Sequence, residues 1–108
     1  MSAVEPRASM STRGPVLIIG TGLLGTSLAL ALRAAGVEVQ LSDTSPTSLA
    51  LARDMGAGVP HDEDSPEPQI VVVAIPPDVT ADVVVAQLAA HPHAVVTDVA
   101  SVKERVVA

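Results

Sequence analysis

Gly20, Gly22 and Gly25 stand in the hexapeptide GTGLLG, between the apolar run VLII and the longer run SLALAL. The spacing is G-x-G-x-x-G, and glycines so placed can do a particular kind of chemistry. The first lets the chain turn sharply out of a strand. The second leaves room for a pyrophosphate to reach the backbone, and the third lets the following helix pack close to the strand. Backbone N–H groups and the positive end of the helix dipole then face the phosphates. A tight strand-to-helix turn without any ligand needs similar glycines, so the triplet needs support from its surroundings.

That support is Asp43, 23 residues after Gly20 and at the end of the next strand-like run, VEVQLS. A carboxylate there accepts hydrogen bonds from the ribose hydroxyls of NAD, whereas the 2′-phosphate of NADP meets a like charge. Thr44, Ser45 and Pro46 follow, with no Arg or Lys to receive such a phosphate. The expected cofactor is NAD, held by Gly20, Thr21, Gly22, Leu23, Leu24, Gly25 and Asp43. The alternative role for Asp43 is to cap the turn before the Ser45-Pro46 helix start. Other reactive side chains are sparse. His61 falls in an acidic stretch, while His91 and His93 bracket Pro92 at a helix end, so no metal set is expected from them. Ser101 precedes Glu104 by three residues, the spacing of a helix capping box.

The elements needed to position these residues follow from the apolar pattern. PVLIIG is a short β-branched run suited to a strand buried on both faces. Leu24, Leu28, Leu32 and Ala35 recur at helical steps, and Gly36 stands where a C-terminal cap belongs. Pro46 at a first helical position opens a second helix ending near Met55 and Gly56. AGVP offers a stub of strand, HDEDSPEPQ a solvated acidic loop, and IVVVAI the most emphatic strand, stopped by Pro76 and Pro77. A helix over 78–90, a strand in AVVTDV and a last helix capped by Ser101 complete the chain. This alternation predicts an α/β fold of the Rossmann type: a doubly wound parallel sheet of about five strands with helices on both faces. Residues 1–14 lack apolar periodicity and read as a flexible leader, leaving 15–108 as the binding domain.

Composition agrees with a soluble domain. The chain has 108 residues, is 48% hydrophobic, and contains no Phe, Tyr or Trp, so its core must be Val, Leu, Ile and Ala. A net charge of −6 without a basic cluster argues against nucleic-acid partners. With no cysteine there is no disulfide framework, and the cytoplasm is the default compartment. Arg7 and Arg13 ahead of the apolar run raise the alternative of a membrane anchor, but the run is short of a span and is interrupted by three glycines. No membrane partner is expected.

The stretch TDVASVK, residues 97–103, together with IIGTGLLGTSLALALR and VVVAIPP, resembles the prephenate/arogenate dehydrogenase family over nearly all of residues 15–108. TDVASVK is close to that family's T-D-x-[GA]-S-V-K signature. The resemblance implies an NAD-dependent enzyme of tyrosine biosynthesis that oxidatively decarboxylates prephenate or arogenate. It implies that Ile75, Pro76 and Pro77 lie beside the cofactor. It assigns Ser101 a catalytic part, contacting the substrate's ring hydroxyl and helping to orient a histidine, although a plain N-cap role is equally good local chemistry. Lys103 either pairs with the anionic substrate or is an exposed lysine.

The departure from the family is the missing catalytic histidine, which the resemblance places in a downstream His-Pro loop. His91–His93 precede the fifth strand and so fall at the opposite edge of the sheet from the cofactor. The expected organisation is therefore a cofactor-binding portion that ends before a helical C-terminal domain, through which the full enzyme dimerises. The alternatives are a non-enzymatic NAD-sensing module, or another Rossmann dehydrogenase such as a 3-hydroxyacid dehydrogenase or pyrroline-carboxylate reductase.

Overall fold

The computed structural model describes residues 15–99. The expected leader, the last helix, Ser101 and Lys103 lie outside them. Eight elements follow in order: β1 (Val16–Ile19), α1 (Leu23–Ala34), β2 (Val39–Ser42), α2 (Pro46–Asp54), β3 (Val59–Pro60), β4 (Ile70–Val73), α3 (Pro77–Ala90) and β5 (Val95–Asp98). The strands form one parallel sheet in the order β3-β2-β1-β4-β5. Val16 of β1 is in register with Val39 on one side and Ile70 on the other. The winding direction thus reverses between β1 and β4, and the carboxyl ends of those strands frame the crevice where ligands gather in such sheets.

Alternate residues of the central strands enter two separate cores. Val16, Ile18, Val39, Leu41 and Val72 face α1 and α2, where Ala29 and Ala52 are buried. Leu17, Val71 and Val73 face the other way, toward Val83 and Val84 of α3. Both faces of β1 and β4 are apolar because both are covered, which is why these strands read as continuous aliphatic runs. The apolar stretch that raised the anchor alternative is divided between β1 and α1, and no described helix is long and apolar enough to cross a membrane.

The helix ends follow the local signals closely. Gly36 has φ +87°, its N–H bonds to Arg33 O at 3.0 Å, and Val37 N–H bonds to Leu32 O at 3.0 Å. Gly56, at φ +88°, repeats the pattern after α2. This paired closure satisfies the last carbonyls of a helix and requires the left-handed backbone that glycine adopts most easily. At the start of α2 the Ser45 hydroxyl accepts from Ser48 N–H at 3.2 Å, with Pro46 at the first helical position.

The acidic stretch after β3 differs from the expected solvated loop. Most of its residues are exposed, but it also seals the second face of the sheet beside β2, where no helix intervenes between β3 and β4. Gln40, buried on that face, donates through Nε2 to Pro66 O at 2.7 Å and accepts through Oε1 from His61 Nδ1–H at 2.8 Å. Buried His91 pairs with Glu67 through Nδ1, and the His61 and His91 rings meet edge-to-face with centroids 5.8 Å apart. The two histidines, distant in sequence, are therefore neighbours in the fold. A buried amide between Val39 and Leu41 needs such partners, because an unpaired polar group in the interior costs free energy.

Candidate functional site

The glycine turn sits at the carboxyl end of β1, and each of its glycines is needed for a different reason. Gly20 has φ +102°, and a Cβ there would collide with the carbonyl of Ala74 at the end of β4. Its N–H reaches Ser42 O at 2.7 Å, while Ala74 N–H reaches Ile19 O at 2.7 Å, so the turn leaves the sheet at the crevice itself. A Cβ on Gly25 would strike the Gly20 carbonyl oxygen and crowd the Ala74 side chain. This is the close helix–strand approach expected of the third glycine. Gly22 is the opposite case, with nothing within 4 Å of where its Cβ would stand. Its lack of a side chain serves no packing within the chain and leaves open space over the turn.

Helix α1 begins at that open space. Gly22 is its N-cap, no side chain caps the first turn, and no acidic residue occupies it. The first helical bond runs from Thr26 N–H to Gly22 O at 2.9 Å. Gly20 N–H and Thr21 N–H are taken by Ser42 O and Asp43, but the N–H groups from Gly22 to Gly25 are left for an outside acceptor, and the helix dipole favours an anion there. Two clefts meet at Gly22. One, of about 390 Å³, lies between Leu23, Leu24, Ala74, Ile75, Pro76 and Asp98. The other, of about 350 Å³, lies between α1 and α2, with Thr21, Leu30, Leu51 and Met55 in its walls. A third depression, of about 260 Å³ near Pro15, Arg33 and Val59, is at the amino-terminal edge and has no phosphate-binding turn.

Asp43 stands one residue past β2 and ties the glycine turn to the start of α2. Its Oδ2 accepts from Thr21 N–H at 2.6 Å and from the Thr21 hydroxyl at 2.7 Å. Its Oδ1 accepts from Ser45 N–H at 2.7 Å. Burial alone raises the carboxyl pKa, but hydrogen bonds from Ser45 N–H, Thr21 N–H, the Thr21 hydroxyl and Thr44 N–H together outweigh it and hold the pKa below the ordinary 3.8. Thr26 completes the network by donating its hydroxyl to Thr21 O at 2.9 Å. Both sequence readings of Asp43, turn cap and ligand acceptor, thus concern one well-placed anion at the rim of the site. The Thr21 and Thr26 hydroxyls were not singled out by spacing, since nothing in the sequence says which loop side chain will face β2.

Across the crevice, Ile75 and Pro76 form the opposite wall, and Pro77 opens α3. The Thr80 hydroxyl, one turn into α3, donates to Pro76 O at 3.0 Å and to Ile75 O at 3.3 Å, holding this wall in shape. Asp98 at the end of β5 reaches the same cleft. His91 and His61 lie far from it, on the sealed second face; among the described residues no group of three or more His, Cys, Asp or Glu is placed to hold a metal ion.

A family model described as the prephenate dehydrogenase nucleotide-binding domain matches residues 28–108. The chain belongs to this family. Among curated proteins, the probable prephenate dehydrogenase NovF of Streptomyces niveus is 44% identical over 88 residues, covering 81% of this chain and 24% of that protein. The chain therefore spans about a quarter of that relative's length. Prephenate dehydrogenase from A. aeolicus, solved in complex with hydroxyphenyl propionate and NAD+, superposes with a TM-score of 0.68 at 28% identity, over 79% of this chain and 32% of that one. Synechocystis arogenate dehydrogenase shares the fold, with a TM-score of 0.66 at 24% identity over the same shares. Membership of the prephenate dehydrogenase family sets aside the hydroxyacid dehydrogenase and pyrroline-carboxylate reductase alternatives. The family match starts past the glycine turn, so the assignment of that turn rests on its own geometry.

Proposed function

We propose that this chain binds NAD in the crevice around Gly22 and is the cofactor-binding portion of an enzyme that oxidatively decarboxylates prephenate or arogenate, in the cytoplasm, on the way to tyrosine. The observation that carries the reading is the turn itself. Gly20 and Gly25 are forced by packing, while Gly22 is bare where no described residue requires it to be. That space is open to a pyrophosphate, the start of α1 beneath it has no side-chain cap, and Asp43 follows at the sequence spacing of the fingerprint. Bound NAD supplies a nicotinamide ring that accepts hydride. The chain's own residues do the positioning: Gly20–Gly25 receive the phosphates, Asp43 the adenosine ribose, and Ile75, Pro76 and Pro77 flank the nicotinamide side.

Ser101 and Lys103 are proposed to meet the substrate, Ser101 at its ring hydroxyl and Lys103 at a carboxylate. Hydride transfer also needs a base for the hydroxyl proton, usually a histidine near neutral pH. Both His61 and His91 are engaged on the far face of the sheet, so the base is assigned to residues beyond these 108, as are the helical region completing the pocket and the dimer contact. Nucleic-acid and membrane partners are not part of the proposal. Calorimetric titration of the chain with NAD and NADP tests the cofactor step, with NAD expected to bind and NADP to bind more weakly. No NAD binding, or equal binding of both, rejects it. Steady prephenate-dependent NADH formation by the 108-residue chain alone would overturn the division of labour.

A further inference from the structure

The Asp43 carboxylate is largely occupied before any ligand arrives. An ionised carboxylate offers about four lone-pair sites. Thr21 N–H and the Thr21 hydroxyl occupy Oδ2 at 2.6 and 2.7 Å and Ser45 N–H occupies Oδ1 at 2.7 Å, so the two hydroxyls of a ribose cannot both be accepted unless a donor leaves. Two of the three are main-chain groups fixed by the fold. Thr21 is anchored through its carbonyl, which accepts the Thr26 hydroxyl at 2.9 Å, and Ser45 is committed as the N-cap of α2. Only the Thr21 hydroxyl can swing away without moving backbone.

We infer that the Thr21 hydroxyl is a stand-in for a ribose hydroxyl on Asp43, and that its displacement sets how tightly and how selectively the site accepts an unphosphorylated ribose. The inference rests on the NAD reading above and goes beyond it by naming the group that competes with the cofactor. A ribose hydroxyl can replace the threonine donor one for one, keeping the carboxylate satisfied. A 2′-phosphate has no proton to give at neutral pH, so the same displacement leaves two negative groups facing each other with one donor fewer between them. Thr21 therefore weakens binding of an unphosphorylated ribose by filling its seat in the free chain, and it yields that seat cleanly only to another donor.

Thr21→Val keeps the shape of the side chain and removes the competing donor. NAD affinity, measured by calorimetry, is expected to rise roughly three- to tenfold, the span of one net hydrogen bond, while NADP binds no more tightly. Thr21→Ser retains the hydroxyl and is expected to keep wild-type values. In the ligand-free chain, carboxyl-carbon NMR should show the Asp43 titration midpoint move upward in Thr21→Val and stay put in Thr21→Ser. Thr21→Ala, smaller everywhere, serves as a second donor-free variant should valine disturb the turn. Unchanged or weakened NAD binding in both donor-free variants overturns the stand-in role. Failure of the underlying reading looks different: wild type and Asp43→Asn would bind NAD equally, or neither would bind it.

Discussion

The turns after β1 and β2 are built on the same plan and end differently. Each leaves a parallel strand at its carboxyl end and enters a helix, and the two are joined through Asp43. After β2, Ser45 caps α2 with its own hydroxyl and Pro46 removes one of the N–H groups that would otherwise lack a partner. That turn is complete in itself. After β1, Gly22 offers α1 no cap, and the space above it is empty. A helix start whose first N–H groups have no side-chain partner is a place for an outside anion, and one that has been capped internally is not. The contrast locates binding at one turn and architecture at the other, with nothing more than hydrogen-bond accounting.

The strongest way to break the contrast is at Gly25. Gly25→Ala puts a methyl onto the Gly20 carbonyl, and the helix must move off the strand. Urea unfolding should show a loss of about 3 kcal/mol, the upper range for forcing extra volume into a packed site, together with loss of NAD binding. Gly22→Val separates the two effects. The backbone at Gly22, φ −73°, suits any residue and the position is open, so the unfolding midpoint should hold while calorimetry shows NAD binding abolished. Undiminished NAD affinity would remove the phosphate role from this turn.

Asp43→Asn acts on both turns at once and carries a pH signature. Because the folded state holds the Asp43 pKa below 3.8, its ionised form stabilises the fold above that pH. The stability advantage of wild type over Asp43→Asn should be full near neutral pH. It should fade as pH falls below 3.8 and through the lowered folded value; denaturant melts across that range check the sign. The same variant should narrow the gap in affinity between NAD and NADP. The smallest effect belongs to the self-contained turn. Ser45→Ala should cost about 1 kcal/mol, as for other N-cap losses, and leave NAD affinity unaltered.

Much of this arrangement could be read along the chain. Gly36 and Gly56 announce helix ends, Ser45-Pro46 announces a start, and the aliphatic runs at β1 and β4 announce strands covered on both sides. These are local features, decided within one helical turn or one strand, so residue type and spacing suffice to find them. IVVVAI suggests six strand residues, but only Ile70–Val73 belong to β4, because Ala74 and Ile75 turn away to form the wall of the crevice beside Gly20. The G-x-G-x-x-G spacing marks the turn between β1 and α1. It does not say that, of its three glycines, Gly22 alone is free of packing among the described residues.

Contacts between distant residues depended on the sheet. The order β3-β2-β1-β4-β5 sets Asp43 beside Thr21, 22 positions earlier, and converts a loop threonine into the partner of an acid just past the neighbouring strand. The same sheet turns Gln40 inward on the second face, where no helix connects β3 to β4, and recruits His61, Pro66, Glu67 and His91 to close it. An acidic, proline-containing stretch looks solvated because its own composition carries no apolar period. Its seat on the protein is determined by an amide on β2 that must be paired once buried. Periodicity and capping are properties of neighbouring residues and survive in the linear order; pairing of buried polar groups is a property of the register, and exists only when the strands have come together.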